Sequence, residues 1–451
     1  MVDPYETLKT TIVTLIDAKK YVTLRDMLTT MNAADIASIC DDIHEELIPK
    51  LFRLLPKELA ADTFVEMEPQ TQELLIKGFS DNELKDIVNE MYVDDAADMV
   101  EEMPANVVSR ILATANPEMR AMINTILNYP EDSAGSIMTT EYVSLRPGMT
   151  AQEAITHIRN NGVDKETINT CYMTDANRTL TGVITIRQLI MADPDAPIND
   201  LVEENIIAVK TTDDQEEVAQ EFSKYNLSAM PVVDNENRLV GIVTVDDVID
   251  VIQEETTEDI EKMAAIVPQD KPYLRQSTFE LWKSRIPWLL LLMISATFTG
   301  MIITSFEDAL AKYVVLTAYI PMLMDTGGNS GSQASVTVIR GISLNEVEFK
   351  DIFKVIWKEI RVALMCGATL AVANFAKLML FDKLTMLVAL TICATLVVTI
   401  FCAKMVGCTL PLIAFKLGFD PAVMASPFIT TIVDAISLLV YFQFATNLLG
   451  L

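Results

Sequence analysis

The chain has 451 residues, 51% of them hydrophobic, and a formal net charge of −29, two extremes that occupy different stretches. Residues 271–451 hold 14 Lys/Arg and 11 Asp/Glu, a net of +3, which leaves 20 basic and 52 acidic residues, a net of −32, in 1–270. Such acidity excludes nucleic acid, whose binding needs basic charge to displace phosphate counterions, and disfavours docking of the soluble part on anionic lipid heads. Cations are its natural partners.

Cysteines at 40, 171, 366, 393, 402 and 408 show no CxxC spacing, and His44 and His157 are too far apart to suggest zinc. The opening Met-Val-Asp-Pro-Tyr-Glu has neither a basic n-region nor an apolar h-region, so the soluble part is expected in the cytosol.

Residues 21–128 read as a helical array. LRDMLTTM, PKELAADTFVEM, PQTQELLIKGF, DNELKDIVNEM and VDDAADMVEEM recur at close to 12 residues, with apolar positions three and four apart and turn residues between. One short helix per repeat, stacked on its neighbours, predicts an all-α helical-repeat N domain over 1–130.

A different duplication fills 131–252. RTLTGVITIRQLI (178–190) aligns with NRLVGIVTVDDVI (237–249), and YVSLRPGMTAQEAI parallels IIAVKTTDDQEEVA upstream. Each copy predicts strand, helix, strand, turn, strand and helix. The pattern is similar to the tandem CBS module, an α+β ligand sensor, with copies at about 138–200 and 201–252. Its GxxTxxD element is Gly241, Thr244 and Asp247 in the second copy, and Gly182, Thr185 and Gln188 in the first. CBS modules that bind adenine nucleotides use that Asp on the ribose hydroxyls. The resemblance therefore offers Thr244 and Asp247 as a nucleotide site, whereas Gln188 carries no charge.

Residues 247–272 predict a connecting helix, with Asp247, Asp250, Glu254 and Glu258 on one face and Pro268 and Pro272 ending it. The amphipathic TFELWKSRIP leads into the remainder, 273–451, where five apolar segments at about 287–305, 313–339, 354–380, 384–410 and 424–449 predict a five-helix transmembrane domain. Lys283, Arg285, Arg340, Lys350, Lys354, Lys358, Arg361 and Lys416 gather on one side. Lys312, Lys377 and Lys383 lie on the other, with the acidic Glu307 and Asp308. By the positive-inside rule the N-terminus is cytosolic and the C-terminus outside.

Two segments are not plain lipid-facing helices. The second holds Pro321, Asp325 and GGNSGSQ (327–333), polar backbone tolerated at membrane depth only where it is buried in protein or lines water. The fifth holds Asp434, a carboxylate that costs about 3 kcal/mol on insertion scales and so calls for a polar interior. Ser426, Thr430 and Asp434 stand four apart on one face, and the two hydroxyls serve either the pore or their own helix backbone. No His or Cys accompanies Asp434, so the chemistry is oxygen-only and suits a hard cation. Magnesium keeps its waters and needs one or two carboxylates, which a symmetric dimer would supply.

The order of parts, with YPEDSAGSIMTTEYV (129–143), TVDDVIDVIQEETTEDI (244–260), PMLMDTGGNSGSQ (321–333) and DPAVMASPFITTIVDAI (420–436), resembles the MgtE family of magnesium channels over nearly the whole chain. The resemblance implies a multi-pass cell-membrane homodimer. Its pore comes from the second and fifth membrane helices, with a magnesium site at Asp434 and lining residues Gly327, Gly328, Asn329, Gln333, Ser426 and Thr430. Ser426 stands where a family pore often has Asn. Regulatory magnesium falls, by matching position, to Asp62, Asp94, Asp95 and Asp98 of the N domain. Further positions are Asp214, Glu216, Asp247 and Asp250 of the CBS pair, Glu255, Glu258 and Asp259 on the connecting helix acting as a plug, and Asp420 facing that plug. Magnesium is then both cargo and regulator, and the chain is no enzyme. The competing readings are a gradient-coupled divalent-cation carrier and a membrane-anchored CBS nucleotide sensor that transports nothing.

Overall fold

A computed structural model describes residues 4–269, 271, 273–424 and 426–450, the side chains of Asp308, Ala309 and Ser426 excepted. It divides into two compact units, Met1–Val251 and Ile252–Leu451.

The first unit opens with ten helices: α1 (Pro4–Asp17), α2 (Tyr21–Leu28), α3 (Ala33–Asp42), α4 (Ile48–Phe52), α5 (Lys57–Val65), α6 (Pro69–Gly78), α7 (Asp81–Val88), α8 (Val93–Glu102), α9 (Ala105–Thr114) and α10 (Pro117–Ile126). From α5 to α10 each begins twelve residues after the one before, the period expected. The turns come from extended residues at the N-caps: Pro56, Glu68, Ser80, Tyr92, Pro104 and Asn116 all have ψ between 144° and 161°. Ser80 closes a capping box with Glu83, which satisfies two otherwise orphaned amides. In α8 the buried Val93, Ala96, Ala97 and Val100 follow helical spacing and join one continuous core that reaches from Ile12 to Ile126. That leaves the other face of α8 to its aspartates.

The CBS copies follow as β1 (Val143–Leu145), α11 (Ala151–Asn161), β2 (Thr170–Thr174), β3 (Leu180–Thr185) and α12 (Ile186–Met191), then β4 (Val209–Lys210), α13 (Gln215–Tyr225), β5 (Ala229–Val233), β6 (Leu239–Thr244) and α14 (Val245–Met263). Each makes a three-stranded sheet in chain order, the first pair parallel and the second antiparallel. Even the irregularity is duplicated, at Met173/Thr174 and Val232/Val233. The hairpin tips are Asx turns: Asp175 Oδ1 accepts from the amides of Asn177 and Thr179, and Asp234 Oδ1 from those of Glu236 and Arg238. The tips also exchange main-chain bonds, Leu180 N–H to Asn237 O and Leu239 N–H to Arg178 O. Beneath them Tyr172, Leu180, Val233, Leu239 and Ile242 form a shared core.

The second unit holds α15 (Thr278–Ser305), α16 (Glu307–Lys312), α17 (Ile320–Ser343), α18 (Ile352–Leu380), α19 (Met386–Lys416) and α20 (Ser426–Leu449). Among the described residues four helical segments are long and apolar enough to cross a membrane, those containing α15, α18, α19 and α20. The second predicted segment differs from expectation. Its first residues form a 3₁₀ turn, Val314–Tyr319, and the helix proper, α17, carries too many polar residues to rank with the other four. The connecting helix also stops earlier than its prolines suggested, at Met263, where Ala265 turns left-handed at φ 56°.

Candidate functional site

GGNSGSQ is helical throughout, a run that the sequence alone marks only as special backbone. Its small residues set helix spacing. A Cβ at Gly407 of α19 would run into the Gly331 carbonyl of α17, and one at Gly327 would meet Thr399 and Ser437. Close packing without large side chains is how membrane helices associate when the hydrophobic effect offers nothing between them. Gly327 and Gly328 are thus buried, Gly328 against Thr430, while Asp325, Asn329 and Gln333 line an exposed stripe at four-residue spacing.

Asp434 sits half-buried on α20, between the buried Val433 and the packing of Ser437 against α17. Asp325 of α17 lies within its electrostatic reach, and among the described residues no lysine or arginine pairs with it. Asp325 is the second carboxylate that the sequence did not point out as a partner. Thr430 Oγ1 donates to the Pro427 carbonyl of its own helix. The Ser426 side chain lies outside the described residues. A buried ion pair, Lys404 Nζ to Glu359 Oε2 at 3.4 Å, ties α19 to α18. Lys404 is absent from the basic residues that the sequence reading assigned to the two sides of the membrane.

A second gathering of acids lies in the first unit, where α8 faces the start of α14. Asp94 is buried, Asp95 half-buried and Asp98 exposed, and all three feel Asp247. Glu166, from the loop after α11, joins them. Burial first, and then the neighbouring carboxylates, raise Asp94 well above the usual range, Asp95 to about 7 and Glu166 to about 8. Burial lifts Asp247 to about 6 against hydrogen bonds from Thr244 that pull it down. Oδ1 of Asp94 and Oε2 of Glu166 are buried with no hydrogen-bond partner. Buried acceptors left unmade are costly, so this oxygen-only set fits a hard cation. Among the described residues no three His, Cys, Asp or Glu side chains close into a metal cage.

The remaining positions scatter. Asp62 is exposed but feels Glu58 and acts on Asp95. Asp214 caps α13 by accepting from Glu216 N–H at 2.9 Å, and Glu216 lies in that first turn. Asp250 is exposed and Glu255 half-buried. In the second unit, the last turn of α14 meets α17 and the turn before α20. Ser343 Oγ donates to Asp259, Met263 packs on Ile339 and Ala422, and Lys262 bridges Glu258 (2.6 Å) and Asp420 (2.7 Å). The GxxTxxD residues cap helices. Thr244 Oγ1 donates to Asp247 Oδ2 at 2.5 Å, and Thr185 with Gln188 forms a full capping box. Gln188 further donates to Glu203.

The family description "Divalent cation transporter" (MgtE) matches residues 320–444, the MgtE intracellular N domain matches 31–132, and CBS domains match 134–195 and 198–254. The magnesium transporter MgtE of Thermus thermophilus is 36% identical over 430 residues, covering 94% of this chain and 95% of its own. The chain belongs to the MgtE family. The Bacillus subtilis MgtE is 33% identical over 442 residues, 98% of this chain and 97% of its own. The cytosolic domain of the Mg2+ channel MgtE, solved in complex with ATP, superposes with a TM-score of 0.51 at 36% identity, over 53% of this chain and 99% of that one. The soluble part of a magnesium transporter gives 0.53 at 30% identity, over 56% and 99%. MgtE proteins are non-enzymatic integral membrane magnesium transporters with a cytosolic N-terminal part, and the chain is one of them.

Proposed function

We propose that this MgtE protein is a magnesium channel that works as a homodimer, with α17 as a fifth membrane span and a path lined by α17 and α20. Asp434 carries the reading: a half-buried carboxylate on an apolar helix, faced by Asp325 and paired with no base among the described residues. Such a group needs a cation or water, and the exposed Asp325, Asn329 and Gln333 stripe offers polar lining beside it. A two-fold axis would double both aspartates, enough for an ion that keeps its waters. The domain limits are those read from the sequence, 1–130, 131–252 and 273–451, with the C-terminus outside, while the connecting helix ends at Met263 and not at 272.

Gating follows from the acidic cluster. Asp94, Asp95, Asp98, Asp247 and Glu166 repel once ionised, by about 1–4 kcal/mol per pair at 4 Å and dielectrics of 80 to 20, which is why they hold protons when no cation is bound. Bound magnesium would supply the positive charge that reverses that sign. Several such sites, including Asp62, Asp214, Glu216, Asp250, Glu255, Glu258, Asp259 and Asp420, add differential binding to the closed state and steepen the response. Adding millimolar magnesium is expected to protect the soluble unit from protease, and unchanged cleavage would remove the mechanism. Divalent flux into proteoliposomes tests the pore. It should vanish in Asp434→Asn and should ignore imposed sodium and proton gradients, which a coupled carrier would not.

The relative solved with ATP supports a nucleotide at the CBS pair here, with Thr244 and Asp247 in the second copy. Both are already engaged in capping α14, so equilibrium dialysis with labelled ATP, wild type against Thr244→Ala, decides it.

A further inference from the structure

Where α14 ends against the membrane unit, the structure places a lysine among carboxylates. Lys262 Nζ lies 2.6 Å from Glu258 Oε1, four residues earlier on its own helix, and 2.7 Å from Asp420 Oδ2, just before the 3₁₀ turn Pro421–Met424 that leads to α20. Asp420 is fixed for this task, because its other oxygen accepts the Ala422 N–H at 2.7 Å. Asp259 stands beside the bridge. Burial raises its carboxyl first and Asp420 next, against the Ser343 hydrogen bond and the Lys262 charge. Lys262 is itself only 23% exposed. Burial disfavours its charge, but the contacts to Asp420 and Glu258 outweigh that and hold the ammonium above the usual lysine range.

We propose that Lys262 is a tethered cation that docks the end of the plug helix on the foot of α17 and α20 without any divalent ion. It is a positioning residue for gating, and the idea rests on the channel reading above. One ammonium among Glu258, Asp259 and Asp420 leaves two negative charges, so closure has two layers. Lys262 gives a magnesium-independent floor, and the residual carboxylates respond to magnesium above it. The lysine differs from a bound ion in one physical respect. Its local concentration is set by the chain and does not fall when cytosolic magnesium does.

Full-length protein in proteoliposomes provides the test, with magnesium on the soluble-unit side varied from chelated to millimolar. Lys262→Gln should raise flux under chelation by about tenfold, the size of coupling seen between contacting charged residues. It should still close at saturating magnesium, with a higher half-closing concentration, and Lys262→Arg should restore the floor. Hydrogen exchange over residues 252–263 is the second readout. It should rise in Lys262→Gln under chelation and fall again with magnesium, while exchange over 320–343 stays as in wild type. If exchange over 252–263 is the same in Lys262→Gln and wild type, the tether is wrong. Equal flux at every magnesium concentration, in a wild type that magnesium does close, also overturns it. If wild-type flux ignores magnesium altogether, the gating reading fails, and exchange over 252–263 still decides whether Lys262 docks the helix.

Discussion

In the soluble unit Asp94, Asp95, Asp247 and Glu166 crowd together with further acids nearby, whereas in the membrane unit Asp325 and Asp434 stand as an isolated pair on two apolar-flanked helices. Crowded acids are individually replaceable. Their effect is a sum over many pairs, diluted by water at the exposed members such as Asp98. The isolated pair has no such reserve, because neighbours on α19 and α20 are apolar or turned to their own backbone. A tunable response can be built from the first kind of site and a strict requirement from the second.

That contrast can be broken or sharpened by mutation. The largest effect is expected at Asp434. An amide removes an attraction of about 4 kcal/mol per unit-charge pair at an effective dielectric near 20, so flux in Asp434→Asn should drop by about two orders of magnitude or more. Retained flux would move the pore elsewhere. Next comes Lys404→Met, which strands Glu359 in the apolar interior and should cost about 3–5 kcal/mol, read as lower thermal stability in detergent. The double change with Glu359→Leu should recover much of that loss.

Gly407→Ala comes third. Its added methyl meets the Gly331 carbonyl, and overpacking of this kind costs about 1–3 kcal/mol. A variant as stable as wild type would mean that α17 and α19 can part freely. The smallest effect should appear in the acidic crowd as a pH profile. Asp247, Asp95 and Glu166 titrate near 6, 7 and 8 when folded, above the unfolded range of about 4. The folded chain therefore holds protons that the unfolded chain releases, and stability falls as pH rises from about 4 to about 8. Without magnesium, protease cleavage near α8 should increase across the upper half of that window, and millimolar magnesium should flatten it. A flat profile in chelator would show these carboxylates to be already relaxed.

Local chemistry made much of this readable beforehand. The 12-residue period, the duplicated strand pattern and the T-x-x-Q and T-x-x-D elements are short-range signals, and the helix starts and capping contacts follow them closely. Asp434 stood out because a carboxylate among apolar residues is conspicuous. Glu166 did not, since it sits in a motif-free loop and gains meaning only when the fold brings it to α8. Asp325 was visible, but its relation to Asp434 depends on helix packing across more than a hundred residues. Lys262 and Lys404 do not stand out in the sequence for a common reason: each reaches a carboxylate on another element, Asp420 and Glu359. The glycine run is legible in the sequence as polar backbone at membrane depth, whereas the packing of its glycines on α19 and α20 and the outward stripe beside them depend on the fold.

The exchange of main-chain bonds between the hairpin tips at Arg178–Leu180 and Asn237–Leu239 makes the two copies mutually dependent. Neither copy can be cut away without stripping the other of amide partners and exposing Tyr172 or Leu239 to water. The two copies can therefore differ at Gln188 and Asp247 and still stand or fall together as one folding piece.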